Sequence, residues 1–170
     1  MAHSDPLCDL AHGIGEAPAD GRTLVAVFAS PVAGYLLHFG HHLGFRTVLV
    51  DPAQIAGPPQ ADEVAAALDP SFVDGTADVV VTDHDRPELG AVLLDALKLP
   101  ARWIGVMGSI RHTAPHLAAL RSLGTSEEDI ARVHRPIGLN IGSHTPPEIA
   151  VATLAGLLAD RSGRPGGFAF

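Results

Sequence analysis

A chain of 170 residues with 46% hydrophobic content holds enough apolar material for one buried core and has the size expected of a single domain. Its net charge of -8 argues against nucleic acids and anionic membranes as partners, since both need a basic face. A single cysteine, Cys8, excludes an internal disulfide framework, and with no secretory pattern and no apolar run near the ~20 residues of a membrane helix the chain is expected in the cytoplasm.

Residues 1–22 lack periodicity and read as an N-terminal leader, with Cys8 an inert thiol. Residues 23–28 form a continuous apolar run, the mark of a strand covered on both faces. Val32, Leu36, Phe39 and Leu43 then recur at helical spacing, and Gly44 ends that helix before a second strand over residues 46–50. Strand, helix and strand at this spacing make a βαβ unit with a right-handed crossover. The alternation continues with a helix over 61–68, a strand over 77–82, a helix over 87–97 and a strand over 102–107. A helix ending near Leu123 and a short acidic turn capped by Ser126 and Asp129 follow. A fifth strand is predicted over 137–139 and a last helix over 146–161, leaving a flexible glycine-rich tail at 162–170. The order predicts an α/β, Rossmann-like, doubly wound and mainly parallel sheet of five or six strands over residues 23–161, with helices on both faces and ligands bound at the carboxyl ends of the strands.

The turn after the first strand is not the G-x-G-x-x-G of a dinucleotide site. It reads Phe28, Ala29, Ser30, Pro31, Val32, Ala33, Gly34, and Pro31 has no N–H to donate. Ser30 before Pro31 is a helix start, and Asp51 ends the second strand where an acid can hold a ribose hydroxyl or simply begin a turn. After the third strand come Thr82, Asp83, His84 and Asp85. These side chains can face a ligand or hold a divalent metal, and Asp85 is also placed to cap the following helix. After the fourth strand, Gly105 and Gly108 flank Val106 and Met107, Ser109 is placed to open a helix, and Arg111 adds charge suited to an anion. His112 and His116 have the spacing of paired metal ligands, although Pro115 between them allows the helix to start there with Thr113 as its cap. In the last turn Thr145 and Glu148 form a capping box with Pro146 at the first helical position. Gly138, Asn140, Gly142 and Ser143 before it make a loop suited to wrapping a ligand. Arg102, Arg111, Arg121, Arg132 and Arg135 concentrate positive charge in this half of an otherwise acidic chain, where an anionic ligand should be drawn.

Three motifs occur in order: TDHD at residues 82–85, WIGVMGSIR at 103–111 and PIGLNIGSHTPPEIA at 136–150. Together they closely resemble the C-terminal Rossmann domain of the XdhC/CoxI family, accessory factors of xanthine dehydrogenase and carbon monoxide dehydrogenase. The resemblance implies a cofactor chaperone more than an enzyme, one that binds molybdenum cofactor and assists its transfer to a molybdenum hydroxylase apo-enzyme. A sulfurtransferase and a second copy of the chain are further implied partners, and NAD(P) on the same sheet is the alternative ligand, with a ligand-free docking module as a third reading. Placing such a ligand on the turns at the strand ends gives as expected cofactor-binding positions Ser30; Asp83, His84 and Asp85; Gly105, Met107, Gly108, Ser109 and Arg111; and Gly138, Asn140, Gly142 and Thr145. No catalytic residue and no independent metal set is assigned. The chain departs from the family pattern with Trp103 for a usual tyrosine, Ile110 for a frequent arginine, Asn140 for a common aspartate, and a first turn lacking the usual GAGHVA. Family members usually carry a separate N-terminal domain ahead of this one.

Overall fold

The computed structural model describes residues 6–15, 21–54, 61–111 and 113–168. Among these, six strands form one parallel sheet: β1 (Thr23–Val27), β2 (Arg46–Val50), β3 (Glu63–Ala65), β4 (Ala77–Val81), β5 (Trp103–Val106) and β6 (Val133–His134). Their order is β3-β2-β1-β4-β5-β6, the doubly wound arrangement whose switch point falls between β1 and β4. The helices are α1 (Pro6–Ala11), α2 (Pro31–His42), α3 (Leu89–Lys98), α4 (Pro115–Ser122), α5 (Glu127–Ile130) and α6 (Pro146–Arg161).

Alternation along the central strands sends side chains into two separate cores. Leu24, Ala26, Leu49 and Val80 meet Leu36 and Leu37 of α2 and Leu154 and Leu157 of α6 on one face. Val25, Val27, Val48, Val79 and Val81 meet Leu93 of α3, Leu120 of α4 and Ile130 of α5 on the other. The expected helices on both faces are therefore present, and the sheet presents every carboxyl strand end on one edge.

Two predicted elements are corrected. Residues 61–68 do not form a helix: Glu63, Val64 and Ala65 pair with Val48, Leu49 and Val50 as an edge strand. The carboxylate of Asp62 accepts from the backbone N–H of Thr47 at 2.7 Å and from its hydroxyl at 3.0 Å, and Glu63 pairs with Arg46 at 2.7 Å. These contacts with β2 hold the segment extended against its alanine-rich helical spacing. The last strand is Val133–His134 rather than residues 137–139, because Val133 pairs with Ile104 and the His134 ring stacks on Trp103 at 5.1 Å and 3°. Ile137 lies past the strand, against the α2–α6 core.

At the margins, the leader contains the six-residue helix α1, on which Cys8 is exposed. In the tail Gly166 lies against Leu139, and Phe168 is fully exposed. No helix among the described residues is long and apolar enough to cross a membrane.

Candidate functional site

At the carboxyl edge the turns after β1, β4 and β5 and the loop after β6 carry the predicted site residues, and they divide into a closed half and an open half. The closed half begins at Phe28, whose backbone takes a left-handed φ of 72° in a position where dinucleotide sites use glycine. Its ring is fully buried, with the Arg86 guanidinium 4.7 Å from the ring centroid. Asp51 is also fully buried and accepts from the backbone N–H of Ala29 and of Ala53, each at 2.8 Å, and from Arg86 at 3.3 and 3.5 Å. Burial alone would raise its pKa, but the two amides and the guanidinium outweigh it and hold the carboxyl below its usual range. Its oxygens are thus engaged within the protein, and the ribose-binding role weighed for Asp51 is replaced by a structural one.

Ser30 is likewise turned inward. It caps α2 by accepting from the Ala33 N–H at 3.0 Å and lies 2.9 Å from the Thr82 hydroxyl, which itself reaches the carbonyls of Val27 and Phe28. Asp83 accepts from the backbone N–H of Asp85 at 2.9 Å, and His84 stands 3.8 Å from the exposed Asp85 carboxylate. Asp85 does not cap a helix, because α3 begins two residues later than predicted, at Leu89, after a turn that carries Arg86 back to Asp51. No group of three metal-ligating side chains occurs among the described residues.

The open half starts after β5. Met107 is buried and continues the strand ladder through its N–H to the Val81 carbonyl at 2.9 Å. A side chain at Gly105 would collide with the Trp103 ring and with Ile137, so this glycine serves packing. At Gly108 the guanidinium of Arg135 occupies the place of a Cβ, and its Nη2 donates to the Ser109 carbonyl at 3.0 Å. The Arg135 Nε is buried with no hydrogen-bond partner among the described residues. Ser109 does not open a helix: its hydroxyl accepts from the Arg111 N–H at 3.1 Å within a turn. α4 starts at Pro115, after Ala114 rather than after a capping Thr113, and no side chain caps it. Pro115 at the first helical position has no N–H to satisfy. His112 lies outside the described residues, which leaves its pairing with His116 without a structural account. His116 is only 4% exposed, and its Nδ1 also has no partner among the described residues. Burial and then the charge of Arg135 lower its pKa, which favours the neutral imidazole.

In the last loop Gly138 takes φ 82° and presses on α6, where a Cβ would stand 2.9 Å from the Ala152 backbone. The Leu139 N–H donates to the Ala152 carbonyl at 2.9 Å and seals this contact. Asn140, Ile141 and Gly142 are exposed beyond it. The predicted capping box is present, with the Glu148 carboxylate accepting from the amides of Thr145 at 3.0 Å and His144 at 2.9 Å. These amides hold Glu148 below its usual pKa, so the cap's contribution is full above the unfolded value of about 4.5 and is lost as pH falls through the lower folded value. Glu148→Ala should speed hydrogen exchange at the His144 and Thr145 amides at neutral pH. Unchanged protection would show that the carboxylate does not hold the loop.

Ser109, Arg111, Asn140, Gly142 and Thr145 are thus exposed in the turns along this rim, whereas Gly105, Met107 and Gly138 are packed against neighbouring elements. No hydrogen bond or ion pair among the described residues joins Asp83, His84 or Asp85 to this group. Arg86 is the residue that sequence reasoning missed, while His116 was read only as half of a metal-ligand pair and Arg135 only as part of the basic stretch.

A family model described as the XdhC Rossmann domain matches residues 24–157. The uncharacterized protein YqeB of Escherichia coli K12 is 38% identical over 89 residues, covering 52% of this chain and 16% of YqeB. A crystal structure described as a xanthine dehydrogenase from Bacillus halodurans aligns at a TM-score of 0.65 and 25% identity, covering 88% of this chain and 46% of that one. This chain spans less than half the length of either relative.

Proposed function

We propose, from the premise that this chain belongs to the XdhC Rossmann-domain family, that it is a cytoplasmic accessory protein for a molybdenum hydroxylase of the xanthine dehydrogenase or carbon monoxide dehydrogenase type. Its task in this reading is to bind molybdenum cofactor and assist its insertion into the apo-enzyme. The observation that carries the ligand placement is the filled β1 turn: Phe28, Arg86 and the engaged Asp51 take the space and the acceptors that a dinucleotide needs. The same closure counts against an NAD(P)-dependent oxidoreductase.

Molybdenum cofactor is a pterin with a phosphate and a dithiolene-bound metal, and when bound it supplies the molybdenum centre that the target enzyme uses. The donor set on the open rim fits such an anion, since Arg135 Nε can only donate and has no acceptor among the described residues. Arg111, Ser109 and Thr145 suit its negative charge at the exposed rim, while Asn140 and the turn of Asp83 and Asp85 suit the polar edge of the pterin. Ile110 and Ile141 are 77% and 55% exposed beside this rim and offer apolar surface for a docking enzyme. The chemistry is retention and handover, with no bond made or broken by the chain.

The test is to purify the protein from a host that makes molybdenum cofactor, denature and oxidise it, and measure pterin fluorescence. Pterin is expected, and its absence sinks the proposal. Arg111→Ala should lower the retained pterin about tenfold, the effect of one charge-assisted hydrogen bond. Unchanged retention would remove Arg111 from the site.

A further inference from the structure

We infer that Arg135, His116 and the uncapped start of α4 form a binding pocket for a phosphate group beneath the Ser109 turn. Arg135 is fixed by its bond to the Ser109 carbonyl and by the bare backbone of Gly108 under its guanidinium. Those contacts leave Nε buried and unpaired among the described residues, and a guanidinium cannot relieve this by losing its proton. His116 repeats the pattern one segment away: it is 96% buried, stands in the first turn of α4, and has an unpaired Nδ1. The two groups are close enough for the Arg135 charge to depress the His116 pKa, so they belong to one electrostatic neighbourhood.

Arg135 Nε is a donor without an acceptor, and His116 Nδ1 is a second one in its Nδ1–H tautomer, so the pair beside an uncapped helix start is unfavourable unless an acceptor completes it. A cation is repelled by Arg135. Donors arriving from the exit of β6 and from α4 suit a tetrahedral group with several acceptor oxygens, whereas a planar carboxylate would be satisfied by the arginine fork alone. A phosphate here meets the positive end of α4 and an arginine already held in place, so little order is lost on binding. The cofactor-binding reading supplies only the identity of the molecule that carries this phosphate; the pocket itself stands on Arg135 and His116.

The experiment is a titration of the whole purified chain with inorganic phosphate, followed by the nitrogen resonances of the His116 imidazole and the Arg135 Nε. Saturable movement of both is expected. Arg135→Gln and His116→Gln should each weaken phosphate binding about tenfold, the loss of one charge-assisted or buried hydrogen bond. Arg121→Gln removes the same charge from the exposed end of α4, where it pairs with Glu127, and should leave binding unchanged. Resonances that stay fixed, or an equal loss in Arg121→Gln, overturn the pocket. Should Arg135→Gln fail to fold, His116→Gln decides alone. Phosphate binding without co-purified pterin supports the pocket and overturns the cofactor reading. Pterin retained equally by parent and Arg135→Gln does the reverse.

Discussion

Asp78→Ala should lower the unfolding free energy by about 3–5 kcal/mol, the cost of removing one member of a buried ion cluster. Asp78 lies on β4 with no solvent exposure, accepting from Arg102 Nε at 2.6 Å and from Arg161 Nε at 2.9 Å. Arg161 closes α6 and also stacks on Phe45 at 5.3 Å, while Arg102 reaches Asp160 at 2.6 Å. The cluster therefore anchors the last helix to the centre of the sheet. Burial raises the Asp78 carboxyl against the pull of both guanidiniums, so the arrangement is costly and holds only while complete. Without the carboxylate two arginines face each other across a buried gap. Urea unfolding of Asp78→Ala and Asp160→Ala separates this from a surface effect: the Asp160 variant should lose no more than about 1 kcal/mol. A loss of less than about 1 kcal/mol in Asp78→Ala would show that the cluster does not anchor α6.

Phe28→Gly is the second large effect, and two opposing terms set its sign. The left-handed backbone costs a phenylalanine roughly 1–2 kcal/mol, which glycine would recover. Losing a fully buried ring costs about 3–5 kcal/mol, and the cation–π contact with Arg86 goes with it. A net loss of roughly 1–4 kcal/mol is expected from these terms. The variant should still show no thermal shift with NAD or NADP, because Asp51 keeps its bonds to the amides of Ala29 and Ala53. A more stable variant, or one that melts higher with NAD, would mean that Phe28 alone blocks a dinucleotide site.

The sheet was legible because its central strands are mostly apolar runs separated by helical spacing, as burial on both faces requires. The edge strands were not. β3 is held by the Asp62 contact with Thr47, fifteen residues away, and β6 is two residues long and defined by pairing and by the stack of His134 on Trp103. Local spacing carries neither fact. The same limit governs the site. The glycines of both motifs were readable as turns, but Gly105 answers to Trp103 and Ile137, Gly138 to the backbone of α6, and Gly108 to Arg135. The capping box could be read in full, since both of its partners lie within four residues. Arg86 was missed because its meaning depends on Asp51, thirty-five positions earlier.

The central claim is that this domain holds its ligand at the turns following β5 and β6 and not at the turn following β1. Hydrogen exchange of cofactor-loaded against stripped protein tests it most directly. The account predicts added protection at the amides of Gly108, Ser109, Arg111, Asn140 and Gly142, with no change at Phe28, Ala29 and Ser30. Protection centred on Phe28 to Ser30, with the later turns unaffected, would contradict it.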